Sequence, residues 1–379
     1  MQNNTRRYDI DWLRVIAIWL LIIYHLGLGF QAYGVFVGFI QNNEHWPSLQ
    51  VPMSILNLWR IPLLFFISGM GVSFAIRKRS WGELMKERAQ RILLPLVFGS
   101  LAIVPLHVML WQDYYLQDLN YSPFPGHLWF LGNIFFYVLV LSPLFIYLKQ
   151  RVDQSLGQRI QRFFGHPIVF LVIVIPFVIE AQIIQPEFFE MYAFTRHGFW
   201  LGLIAFLVGF LMVYAGEPFL QQLKRYKWLF LGAGLTLFAV RWAYFDLSSP
   251  LAMKAVESNL FVFAVLGLGF EYLNRPSKRL SYLSTASYPI YILHMLFLYA
   301  GSYVVFPLYW PVALKFIVVF VFTFVGCYAT YEYLIRRVRI LRPLFGLKLE
   351  QRQSSESTPQ REIVDTGRGE ELRGVESGS

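Results

Sequence analysis

The chain has 379 residues, 56% of them hydrophobic and 15% charged, with a mean hydropathy of +0.48 and a net charge of +10. That balance is too apolar for a soluble domain and indicates a polytopic membrane protein. The excess of basic residues does not indicate a nucleic-acid binder, because nearly all Lys and Arg fall in short segments between apolar runs; the single cysteine, Cys327, lies inside such a run and gives neither a disulfide framework nor a Cys-based metal site.

Ten apolar spans are predicted, at about 12–30, 51–76, 92–112, 128–148, 167–185, 198–215, 228–245, 256–273, 285–305 and 312–335. The first, within DIDWLRVIAIWLLIIYHLGLGF, is long enough to cross a bilayer, which takes about 20 mostly apolar residues. No small-residue cleavage site follows it, so it reads as a transmembrane helix rather than a removable leader. Pro62, Gly69, Pro105, Pro176 and Pro289 fall within spans, where neighbouring helices can satisfy the freed backbone groups. The N-terminal segment, every second loop and the segment after the last span carry 23 Lys and Arg, against two in the intervening loops, Arg196 and Lys254. By the positive-inside rule both termini are expected in the cytoplasm, which gives an all-α, multi-pass bundle in the cytoplasmic (inner) membrane. Residues 1–345 form the expected membrane domain. Residues 346–379, rich in Gln, Ser, Glu, Arg and Gly, are expected to be a disordered cytoplasmic tail. The chain contains no GxGxxG, no P-loop lysine motif and no HExxH zinc signature.

Ionisable residues inside the spans are the candidates for function, since charge in hydrocarbon is costly. Arg14 and His25 are eleven residues apart in the first span, which puts them on one helical face and about 16 Å apart along the axis. Each also has an ordinary reading: Arg14 can snorkel to the headgroups, and His25 can be a neutral packing residue. Arg60, Glu180, Arg241 and Lys315 map to the outward portions of their spans, and His127 opens the fourth span in GHLWFLGN. Either Glu180 pairs with Arg241 and the others snorkel, or together they line a polar cavity open to the outside. On the inner side, Arg88 and Arg91 in KERAQRILLPL share one helical face, and guanidinium forks suit phosphates. The alternative is that these two arginines serve only the topology. His294 lies mid-span in SYPIYILHMLFL, and no carboxylate or second His at ligand spacing beside it or His25 points to a metal.

The blocks DIDWLRVIAIWLLIIYH, WRIPLLFFISG, RAQRILLPL, GHLWFLGN and SYPIYILHMLF together resemble the acyltransferase 3 family of integral membrane acyltransferases, and most closely its glucan biosynthesis protein C-like branch. The resemblance implies transfer of an acyl group from cytoplasmic acyl-CoA, acetyl-CoA or succinyl-CoA, to a hydroxyl of an envelope carbohydrate or glycolipid. It also implies that Arg14 and His25 match the family's functional basic residue and histidine on the first span, and that Arg88 and Arg91 match its donor-side Arg-x-x-Arg. Arg60 and His127 occupy recurrent positions in these blocks. The chain departs from many O-antigen acetyltransferases in having HLWFLGN where they carry a Ser-Val-Glu block, and in lacking a fused extracytoplasmic hydrolase-like domain.

The residues fit such chemistry on their own terms. Acyl transfer to an alcohol needs a base, for which a neutral His is suited near pH 7, and a cationic donor for the developing oxyanion. His25 is the candidate base or transient acyl carrier, Arg60 the oxyanion donor, and Arg14 an orienting group. Glu180, Arg241, His127 and His294 are candidates on the acceptor side. A transporter or flippase of an envelope precursor and a non-catalytic membrane scaffold are the competing classes.

Overall fold

The computed structural model describes residues 7–348. The predicted tail from residue 349 onward lies outside the described residues, whereas Gly346, Leu347 and Lys348 line a cavity in the bundle. The helices are α1 (Tyr8–Leu28), α2 (Gln50–Ile76), α3 (Trp81–Arg88), α4 (Leu94–Phe98), α5 (Val104–Tyr114), α6 (Trp129–Lys149), α7 (Ser155–Phe164), α8 (Val169–Ile184), α9 (Arg196–Ala215), α10 (Glu217–Phe245), α11 (Leu251–Tyr272), α12 (Lys278–Val305), α13 (Val312–Thr330) and α14 (Leu341–Leu344). No strand occurs among the described residues.

Among the described residues, nine helical runs are long and apolar enough to cross a membrane, and ten if a bent pair counts as one span. That pair is α7 and α8, which meet at 89°. The fifth predicted span is thus a short helix of 16 residues preceded by a basic helix lying across it. The third predicted span grows at its start: α3, α4 and α5 form one run from Trp81 to Tyr114, with Arg88 and Arg91 inside it. Apolar side chains also face outward, for example Ile317, Val321 and Val325 on α13, as suits a lipid-facing surface.

Proline shapes the backbone around the cavity. A helical proline lacks the N–H that would bond the carbonyl four residues back, and its ring crowds that carbonyl. Pro62 frees the carbonyl of Leu58, which instead accepts from Ser258 Oγ at 2.8 Å and Tyr192 Oη at 3.1 Å. Pro105 frees Leu101, whose carbonyl accepts from Tyr121 Oη at 2.9 Å. Two π-helical turns, Ala89–Leu93 and Gly99–Ile103, stand directly ahead of Pro95 and Pro105. Such wide turns open the helix where the ring needs room, and they recur at functional sites.

α1 packs against α2, α11, α12 and α13, so it stands inside the bundle. α2 and α9 pack closely, because small residues let the backbones approach. A Cβ on Gly69 would overlap the Phe206 carbonyl, and one on Gly209 would overlap that of Phe66. Replacing either glycine with Val is expected to destabilise the bundle by about 1–3 kcal/mol through overpacking. Thermal unfolding in detergent checks this, and an unchanged melting temperature for both variants would contradict the packing described.

Candidate functional site

A cavity of about 1780 Å³ runs through the bundle, well above the roughly 300–1,000 Å³ of ordinary small-molecule pockets. One end is lined by Arg14, Arg88, Arg91 and Lys348, the other by Tyr33, Gln50, Glu190 and Lys254, with His25, Arg60 and His127 also on its wall.

His25 is set by α1 and His294 by α12. Their Nδ1 and Nε2 atoms are 2.9 Å apart, and the ring planes are nearly parallel, at 12°, with centroids 5.2 Å apart. His294 Nδ1 stands 2.7 Å from the Tyr291 carbonyl one turn back. His294 is fully buried and does not line the cavity, whereas His25 does. Among the described residues nothing hydrogen-bonds His25 Nε2, and the atom is not closed off within the bundle, so it faces the cavity. The GHL turn clamps α12 from the other side: Tyr291 Oη donates to the His127 carbonyl at 2.6 Å, and His127 Nε2 donates to the Ile292 carbonyl at 3.1 Å. His127 packs its edge on His294, and His107 follows with a ring centroid 5.5 Å from that of His127. Four imidazoles thus adjoin one another. Among the described residues, no group of three or more His, Cys, Asp or Glu is arranged to hold a metal ion.

Arg60, one residue upstream of Ile61 and two ahead of the Pro62 break, is fully buried. It donates to the Leu20 carbonyl at 3.2 Å and to Asn57 Oδ1 at 3.4 Å, and its guanidinium carbon sits 4.4 Å over the Tyr24 ring. Among the described residues no carboxylate pairs with it, and its Nε lacks a partner. A buried cation held only by neutral dipoles and an aromatic face is suited to receive negative charge from elsewhere.

At the arginine-rich end, Arg14 reaches Asp11 at 3.5 Å and keeps 38% of its side chain exposed to the cavity. Arg91 pairs with Glu87 at 3.2 Å, Arg79 meets the same Glu87 at 3.5 Å, and Arg88 touches it only at 3.9 Å, its Nε unpartnered among the described residues. The local balance is positive. Tyr288, Ser284 and Thr285 of α12 complete the wall there, and the buried Tyr288 hydroxyl is also unpartnered.

Other expected site residues lie apart or are already neutralised. Glu180 does not pair with Arg241 and does not line the cavity. Its carboxylate is bound by His197 Nδ1 at 2.9 and 3.0 Å, with both residues buried. Arg241 touches the cavity, but Glu257 holds it in a two-pronged pair at 2.8 and 2.9 Å, both side chains being fully buried. Lys315, deep in the bundle, donates to Asn42 Oδ1 at 2.9 Å and the Phe306 carbonyl at 2.7 Å. His107, Tyr24 and the Tyr291 carbonyl were not singled out from sequence. His107 alone carried a readable signal, as an ionisable group inside a predicted span.

This is a multi-pass membrane bundle with an internal cavity whose wall carries an accessible imidazole, an unneutralised guanidinium and, at one end, a cluster of arginines. The chain belongs to the acyltransferase 3 family, described as an acyltransferase domain, which matches residues 7–332. No curated protein and no solved structure matches the chain. The family supports a membrane acyltransferase.

Removing one partner of a buried ion pair strands a charge and costs about 3–5 kcal/mol. Arg241→Leu and Glu257→Leu should each lower the thermal stability of the purified protein strongly, and the double variant should recover most of it. Single variants as stable as the wild type would show that the pair carries no structural role.

Proposed function

We propose that the protein is an O-acyltransferase of the cytoplasmic membrane that moves an acetyl or succinyl group from cytoplasmic acyl-CoA to a hydroxyl of an envelope carbohydrate or glycolipid. What carries this reading is one cavity lined both by Arg14, Arg88 and Arg91 and by His25 with Arg60. The guanidinium cluster suits the nucleotide phosphates of the donor. The positive-inside bias supports its being on the cytoplasmic face. The acyl-bearing arm then runs along the cavity toward His25, about 16 Å from Arg14 along α1. The acceptor enters from the other end, where Tyr33, Gln50 and Glu190 offer hydrogen-bonding groups. The resemblance to the glucan biosynthesis branch supports a carbohydrate in that position.

In the reaction, His25 Nε2 takes the hydroxyl proton as the alcohol oxygen attacks the thioester carbonyl. Arg60 stabilises the oxyanion of the tetrahedral intermediate. Collapse breaks the carbon–sulfur bond, and the departing thiolate recovers the proton from His25, leaving ester and free CoA. No net proton is released.

The test is transfer from labelled acetyl-CoA or succinyl-CoA by purified protein to envelope glycans, with mass spectrometry of glycans from cells with and without the protein. Accumulation of a substrate in proteoliposomes with no acylation would favour a transporter and overturn the proposal. His25→Ala should reduce kcat by about 10²–10⁴-fold while leaving folded protein. Wild-type turnover in that variant would remove His25 from the mechanism. The double variant Arg88→Gln/Arg91→Gln should raise KM for acyl-CoA about tenfold or more with a smaller change in kcat. Unchanged KM would return both arginines to topology.

A further inference from the structure

From the pair on α1 and α12 we infer that His294 is a positioning residue: it holds His25 in the tautomer protonated on Nδ1, so that the Nε2 lone pair faces the cavity. The inference rests on His25 acting as the base in the reaction proposed above. It starts from the Tyr291 carbonyl, which can only accept, 2.7 Å from His294 Nδ1. His294 Nδ1 therefore carries a proton. A neutral imidazole has one N–H, so His294 Nε2 is an acceptor. The contact at 2.9 Å then requires His25 Nδ1 to donate, which leaves Nε2 of His25 without a proton. An unconstrained imidazole favours the opposite tautomer, with the proton on Nε2 and no lone pair to offer there.

His294 is placed for this role and for no direct one. It is fully buried, off the cavity wall, and reaches substrate only through His25. Its own orientation is fixed twice, by the carbonyl one turn back and by the His127 ring packed edge-on at 5.0 Å. α12 is held in register by the bonds between Tyr291 and His127 and between His127 and Ile292. When His25 takes the substrate proton, its Nδ1–H becomes a charge-assisted donor to His294, so the same contact stabilises the imidazolium. The logic is that of a base oriented by a third group, here with an imidazole and a backbone carbonyl in place of a carboxylate.

The experiment combines ¹⁵N-histidine NMR of the full-length protein in micelles with kinetics, the His25 signals being assigned by their loss in His25→Ala. In the wild type His25 should show a protonated Nδ1 and an unprotonated Nε2. In His294→Leu the proton should move largely to Nε2, and kcat should fall by about 10²-fold or more, up to the roughly 10²–10⁴-fold that a positioned base contributes. KM for acyl-CoA and for acceptor should stay within about threefold, because substrate is not touched. His294→Gln, whose amide oxygen can accept from His25 Nδ1, should restore at least about tenfold of the lost kcat. A wild-type His25 protonated on Nε2 would overturn the inference without any variant. So would wild-type turnover in His294→Leu, a loss of turnover with the tautomer unchanged, or a Gln variant no better than Leu. Failure of the wild type to transfer any acyl group would instead overturn the function proposed above, since the tautomer reports on the pair independently of turnover.

Discussion

The hydrocarbon core of a bilayer offers no water, so a polar group buried there must find its partner within the protein. That constraint organises this bundle. Glu180 finds His197, Arg241 finds Glu257, Lys254 finds Glu190 at 3.0 Å, and Lys315 finds an amide and a carbonyl. The cavity wall differs: among the described residues no carboxylate pairs with Arg60, the Arg88 Nε is unpartnered, and His25 keeps an open Nε2. The charge of Arg60 is left without a carboxylate on the cavity wall, whereas Glu180, Arg241 and Lys254 are held by partners of opposite sign or by His197.

The backbone follows the same rule. Where proline removes a helical donor, the orphaned carbonyl is answered from another element, as Leu58 is by Ser258 of α11 and by Tyr192 from the segment before α9. These ties fix α2 near Arg60. On the α3–α5 run, the wider turns ahead of Pro95 and Pro105 bring Arg91 to the cavity at one end and His107 further along. The breaks on α2 and on the α3–α5 run therefore fall beside the cavity wall.

The distribution of charge along the cavity gives the proposed reaction a direction. Arginines gather at one end, and the other carries both signs, in Glu190 and Lys254. A polyanionic donor is drawn to the first, and a neutral polyol has hydrogen-bonding groups at the second. Between them lie His25 and Arg60, which in the proposed reaction serve as base and cation; among the described residues no carboxylate pairs with either.

Local periodicity determined what depends on neighbours in sequence: the number and approximate limits of the spans, the alternation of basic and non-basic loops, and the placing of Arg14 and His25 on one face of the first helix. The blocks that carried the family resemblance are likewise contiguous. The pairings were a matter of tertiary structure, because they depend on how helices far apart in the chain cross. His25 and His294 are separated by 269 positions, and no local pattern sets their rings 2.9 Å apart. The same holds for Glu180, which sequence position alone would pair with Arg241, whereas the crossing of α8 and α9 gives it His197. A helix fixes which residues share its face; only the packing of helices fixes what that face meets.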